Sequence, residues 1–208
     1  MYILEHERNL FMSSQSWPAA WPVRVGALDL DLPLVKNDDG FQIYAFDPMG
    51  RTSWNIAAAQ ALAQSLAPFA FDILLTAESK AIALAQELSR LLGHDSYVVL
   101  RKARKLYMTD PVVMDVKSIT TAAPQQFFLG REQQDLLRGR RVCVLDDVVS
   151  TGGTLRAIHS ASELLDFTVA VYACVLTEED RREAFEGVPV VSLGHIPLPA
   201  FSAGPPAN

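Results

Sequence analysis

The chain has 208 residues, with 18 Lys and Arg against 24 Asp and Glu and a formal net charge of −6. Half of its residues are apolar and a fifth are charged, the balance of a globular domain with a sizeable core. The acidic excess argues against a nucleic-acid binder, no apolar run approaches the length of a membrane span, and two cysteines, Cys143 and Cys174, build neither a disulfide scaffold nor a zinc site.

The charged N-terminus has no apolar segment of the secretory kind, so a cytoplasmic protein is expected. Residues 1–22 contain Trp17-Pro18 and Trp21-Pro22, which imply extended or turn structure, with the two tryptophans as packing anchors. Residues 23–35 read as one strand, in which Leu28, Leu30, Leu32 and Leu34 alternate with polar positions including Asp29 and Asp31. Asn37-Asp38-Asp39-Gly40 is a turn signal, and residues 41–46 return as a second strand. Thr52 or Ser53 caps a helix running to about residue 67, with Ile56, Ala59, Ala63 and Leu66 as its apolar stripe and Pro68 as its stop.

A strand over 71–76 follows, then a helix over 78–92 with Ile82, Ala85, Leu88 and Leu92 inward and Gly93 at its end. Residues 97–100 are the next strand. From 101 to 123 the helical period disappears, and Thr109-Asp110-Pro111 marks a turn between two extended pieces. Residues 126–129 are strand-like and 131–138 form a short polar helix or turn. A buried strand over 142–145, a helix to about 165, a strand over 168–176, a short helix over 178–185 and a last strand over 188–193 complete the series. The tail from Pro197 is irregular.

Strands alternating with helices predict an α/β fold, a parallel twisted sheet with helices on both faces and ligands at the carboxyl ends of the strands. The expected organisation is an N-terminal extension and hairpin over 1–55, an α/β core over 56–196 and an irregular tail over 197–208.

The most informative stretch is Arg141 to Thr154. Its apolar strand is closed by two adjacent carboxylates, Asp146 and Asp147, followed by Ser150, Thr151, Gly152, Gly153 and Thr154 and then a helix with Leu155, Ile158, Ala161 and Leu165 on one face. Backbone N–H groups at a helix N-terminus carry partial positive charge and bind phosphate. The glycines allow close backbone approach, and the hydroxyls add donors. Paired acids one sugar's length away accept hydrogen bonds from vicinal hydroxyls. A phosphate cradle beside a diol acceptor describes a ribose 5-phosphate site.

This stretch resembles the PRPP-binding signature of type I phosphoribosyltransferases, and the similarity extends over about residues 71–176. In that family the strand end before Glu78, Ser79 and Lys80 carries the pyrophosphate loop. Ala77, Glu78 and Ser79 match the adenine and xanthine members, while Lys80 departs from the usual glycine and either adds a cation for pyrophosphate or obstructs the loop. Arg101-Lys102-Ala103-Arg104-Lys105 concentrates four cations in five residues, similar to the family's basic pattern at the base of its mobile catalytic loop. The run from Lys105 to Asp110 is closest to the purine enzymes.

The resemblance implies transfer of the ribose 5-phosphate of PRPP to a purine base, adenine or a 6-oxopurine such as xanthine, with release of pyrophosphate. It gives Asp146, Asp147, Lys102 and Lys105 catalytic roles. It assigns the 5-phosphate to Ser150, Thr151, Gly152, Gly153 and Thr154, and pyrophosphate to Glu78, Ser79, Lys80 and Arg101. It implies Mg2+ near Asp146 and Asp147, held mostly through ribose hydroxyls or water. Closure of a loop over residues 104–121 excludes water, a homodimer completes the site, and a variable hood from the N- and C-terminal segments covers the base. The alternative is a non-catalytic PRPP-binding regulator of the same fold, though the acidic chain shows no helix-turn-helix pattern.

Overall fold

A computed structural model describes residues 17–36, 41–116, 125–178 and 184–199. The chain begins with an antiparallel sheet of β1 (Ala20–Val25), β2 (Leu28–Lys36) and β3 (Gln42–Tyr44). Helix α1 (Thr52–Leu66) leads to β4 (Ile73–Ala77), α2 (Ile82–Leu92) and β5 (Val98–Leu100). A hairpin of β6 (Val112–Val116) and β7 (Gln125–Leu129) and the short α3 (Arg131–Leu137) come next. Then follow β8 (Arg140–Val149), α4 (Gly153–Ala161), β9 (Phe167–Glu178), β10 (Ala184–Phe185) and β11 (Val188–Ile196).

The main sheet has the order β10-β11-β9-β8-β4-β5. Its five longer members run parallel, and β10 is an antiparallel edge piece on β11. Both faces are covered. Val142 and Val144 of β8 face a layer with Leu155 and Ile158 of α4, Phe127 of β7 and Leu137 of α3. Cys143 and Leu145 face the opposite layer, with Leu62 and Leu66 of α1 and Leu84 and Leu88 of α2. A strand buried on both sides needs no polar alternation, which is why 142–145 is an unbroken apolar run.

The small sheet closes onto the α1–α2 layer through Val25, Leu32 and Tyr44. Trp17 and Trp21 flank Tyr44 with ring centroids at 6.5 and 5.7 Å, and the Tyr44 hydroxyl donates to the Pro18 carbonyl at 3.0 Å. The tryptophans are packing anchors, as their setting beside prolines suggested.

Several local expectations need correction. Residues 23–35 are two strands, turned at Gly26-Ala27 so that Val25 faces Leu28. Gly26 has φ +58°, and a Cβ there would stand 2.6 Å from the Ala57 carbonyl oxygen, so the turn is pressed directly onto α1. The Asn37–Gly40 turn lies outside the described residues, but the β2–β3 pairing on either side of it is formed. Helix α1 has no cap from Thr52 or Ser53. Instead the Asn55 amide donates to the carbonyls of Pro48 at 2.7 Å and Arg51 at 2.9 Å. With Asn55 buried the helix presents Ala58, Ala59, Leu62 and Leu66, and Ile56 is turned outward.

Helix α2 starts at Ile82, leaving residues 78–81 as a loop; Leu84, Ala85 and Leu88 are its inward residues and Gly93, φ +74°, ends it. The helix expected over 178–185 is not formed at its ends: Glu178 closes β9, and Ala184 and Phe185 pair with β11. Residues 179–183 lie outside the described residues, as does the tail beyond 199.

At the amino end of the sheet, β4 and β8 are fastened by a pair. The Arg141 N–H donates to Asp72 Oδ2 at 2.8 Å and its guanidinium to Oδ1 at 2.8 Å. Hydrogen bonds from Arg141 hold the Asp72 carboxyl down at about 2. A depressed acid stabilises the fold above its unfolded value near 3.8 and loses that contribution as pH falls through about 2. Asp72→Asn therefore lowers the melting temperature at neutral pH, and the gap from wild type narrows below pH 3.8; a gap independent of pH in thermal scans would contradict this.

Candidate active site

The chain leaves β4 toward β5 on one side, while β8 lies on the other. The order of strands therefore reverses at β4 and β8, and the crevice outside their carboxyl ends is where sheets of this kind bind ligands. Thr76 of β4 is in register with Leu145, and Ala77 with Leu100. The 78–81 loop, Arg101 and the Asp146-Asp147 pair are thereby set on one rim.

Strand β8 does not stop at the acids but continues through them to Val149, with Asp146 paired to Cys174 on β9. Successive residues of a strand face opposite sides of the sheet. Asp147 points toward Lys80, whose Nζ lies 3.9 Å from Oδ2. The same ammonium donates to the Phe46 carbonyl at 3.3 Å. One cation on the 78–81 loop thus joins the acid pair to the segment between β3 and α1. Asp147 is buried, but beside a cation rather than within the apolar core.

The Asp147 N–H donates to Asp146 Oδ1 at 3.0 Å. Burial, then the neighbouring Asp147 charge, pushes the Asp146 carboxyl well above its ordinary range. Asp147 is raised by burial too, with Asp146 and Lys80 working against that rise. Two crowded, poorly hydrated carboxylates make a site that favours cations and hydroxyl donors.

Glu78 organises the basic side. Its N–H donates to the Leu100 carbonyl at 2.8 Å, and its carboxylate accepts from Lys102 N–H at 2.8 Å and pairs with the Arg101 guanidinium at 3.2 Å. Burial opposes its charge, yet the Lys102 N–H and the Arg101 charge outweigh it and the pKa is lowered. Lys102 also bears on Asp146, and Lys105 on Glu78, through their charges. Ser79 is exposed on the rim, and a cis peptide joins it to Glu78.

Ser150 and Thr151 follow β8 directly, and Gly152, φ +77°, turns the chain into α4, whose first residues are Gly153 and Thr154. The first N–H groups of a helix have no intrahelical acceptor and point out of its end. The expected residues of the ribose and phosphate subsites are therefore consecutive in space as in sequence.

Two contributors escaped the sequence reading. The Phe46 carbonyl is backbone and carries no sequence signal. Phe185 lies against Gly152 and sits in a segment expected to be helical; the Glu186-Gly187 pair after it was the missed turn signal. Residues 117–121 of the expected closing loop lie outside the described residues.

The sequence model of the phosphoribosyl transferase domain matches residues 54–193. The adenine phosphoribosyltransferase of Renibacterium salmoninarum is 34% identical over 142 residues, 66% of this chain and 75% of that protein. A hypoxanthine/guanine phosphoribosyltransferase of Methanocaldococcus vulcanius is 32% identical over 113 residues, 54% of this chain and 57% of that protein. Among solved structures, the adenine phosphoribosyltransferase of Thermoanaerobacter pseudethanolicus superposes with a TM-score of 0.66 at 21% identity, covering 79% of this chain and 95% of that one. The matched span takes in the paired acids, the glycine turn behind them and the basic segment across the crevice, and the chain belongs to the phosphoribosyltransferase family.

Proposed function

We propose that this protein transfers the ribose 5-phosphate of PRPP to a ring nitrogen of a purine base, adenine or a 6-oxopurine such as xanthine, and releases pyrophosphate. The observation that carries the reading is the placement of Asp146 and Asp147 immediately before the left-handed Gly152 turn, across the crevice from Lys80 and Arg101. The amides opening α4, with the hydroxyls of Ser150, Thr151 and Thr154, hold the 5-phosphate. Asp146 and Asp147 accept hydrogen bonds from the ribose 2- and 3-hydroxyls. As the C1–oxygen bond to pyrophosphate breaks, positive charge grows on the ribose, and the same carboxylates favour it. Arg101, Lys102 and Lys105, with Lys80 and Ser79 on the facing loop, neutralise the departing anion; Glu78 holds Arg101 and Lys102 in place.

The donor set suits Mg2+, because hard carboxylate oxygens are what that ion prefers. Among the described residues no group of three His, Cys, Asp or Glu side chains forms a cage, and Asp146 and Asp147 would hold the ion mostly through ribose hydroxyls or water. A bound divalent ion supplies charge neutralisation of the pyrophosphate. The segment following Phe46, tied to the site through Lys80, forms part of the hood over the base. Exposed Leu106 and Tyr107 on the basic segment favour a second copy of the chain against that edge, as a homodimer working in the cytoplasm.

The test is pyrophosphate release from PRPP and Mg2+ across adenine, hypoxanthine, guanine, xanthine and orotate. We expect turnover with a purine and none with orotate. PRPP binding without release for any base would instead identify a non-catalytic regulator, and no PRPP binding would overturn both readings.

A further inference from the structure

The glycine turn is braced from outside the crevice. An ideal Cβ on Gly152 would stand 2.5 Å from Phe185 Cε2 and 2.8 Å from Cζ, so the ring presses directly on the glycine. The ring is itself held by two neighbours, one of which also ties down the residue beside it. Tyr172 of β9 meets it edge to face, with centroids 5.7 Å apart and planes at 88°. The Arg156 guanidinium of α4 lies 5.2 Å from its centroid. Arg156 Nε also reaches Glu186 Oε1 at 3.4 Å, fastening the residue next to the ring. Glu186 and Gly187, with φ +50° and +78°, form the tight two-residue turn that brings Phe185 opposite Val188.

We infer that Phe185 is a positioning residue for the phosphate subsite, and that the C-terminal hairpin holding it acts as a brace on the loop between β8 and α4. The inference rests on the proposed ribose 5-phosphate reading of that loop. A left-handed turn flanked by hydroxyl residues has neighbouring backbone states close in energy. The amides that follow it bind an anion only if they converge on one point. The Gly152 carbonyl accepts the Arg156 N–H at 2.9 Å, so the orientation of the turn and the start of the helix are set together. A buried aromatic ring against the glycine Cα leaves one of those states. Since Phe185 and Glu186 lie outside the acid pair and the basic segment, the brace acts on the phosphate end of PRPP and leaves the base end alone.

The experiment measures Kd for ribose 5-phosphate by calorimetry, with KM for PRPP, KM for the base and kcat, in wild type, Phe185→Ala, Phe185→Leu and Arg156→Gln. Phe185→Ala should raise the ribose 5-phosphate Kd and the PRPP KM by roughly ten- to a hundredfold, the penalty of misplaced binding groups, with the base KM unchanged. Phe185→Leu, which refills most of the volume, should recover most of the loss. Arg156→Gln, at an exposed position, should give a several-fold rise and carries the test should Phe185→Ala fail to fold. Unchanged ribose 5-phosphate affinity in Phe185→Ala and Arg156→Gln overturns the brace, as does an equal rise in both KM values. Wild type that binds neither ribose 5-phosphate nor PRPP overturns the site reading itself.

Discussion

Replacing Asp146 and Asp147 together by asparagine is expected to abolish pyrophosphate release while leaving the fold at least as stable as wild type. Each carboxylate is assigned a hydroxyl whose hydrogen bond strengthens as charge develops on the ribose. Losing one preorganised electrostatic partner typically costs about 10²–10³ in rate, so losing both removes turnover from a standard assay. Stability goes the other way for a stated reason. Burial raises both carboxyls, and the Asp147 charge raises Asp146 further. An acid raised in the folded state destabilises the fold as pH climbs from its unfolded value near 3.8 through the folded one. Asparagine carries no such cost, so the variant's melting temperature should match or exceed wild type at neutral pH, with the advantage shrinking in acid. Near-normal turnover in the double variant would refute the assignment of the pair.

Gly152→Ala is the second large effect, and it acts on binding. The residue has φ +77°, where a Cβ costs about 1–2 kcal/mol. The added methyl also meets the Phe185 ring, which Tyr172 and Arg156 prevent from stepping aside. Overpacking of this kind costs ~1–3 kcal/mol. The turn can relieve both only by swinging the following amides off the phosphate. PRPP KM should rise by two orders of magnitude or so, with a melting temperature a few degrees lower. An unchanged PRPP KM in steady-state kinetics would show that the amides after Gly152 do not hold the phosphate.

What could be read from the chain divides along physical lines. The doubly buried strands β4, β8 and β9 announce themselves, because packing on both faces leaves long apolar runs. The acid pair and the glycine turn are legible because their chemistry is costly anywhere but in a site. The β1–β2 turn left a faint trace that was passed over: the apolar positions are odd through Val23 and Val25 and even from Leu28 to Leu34, and that slip of phase falls at Gly26-Ala27. Ile56 is outward because the buried Asn55 and its bonds to Pro48 and Arg51 rotate α1, a constraint from tertiary structure that no periodicity contains. Phe185 looked helical because Glu178 to Phe185 is rich in helix formers; pairing with β11 overrides that local preference. The Lys80 link to Phe46 could not be foreseen, since its acceptor is a backbone carbonyl 34 residues earlier.

Cys143 and Cys174 lie in the two central strands, one directed to each layer of the molecule. Both are inaccessible to solvent, and burial pushes the Cys143 thiol far toward its protonated form. Electrophiles therefore find no thiolate at the rim, where the ligands bind. Alkylation must await separation of a layer from the sheet, so each sulfur is a natural clock for the opening of its own side.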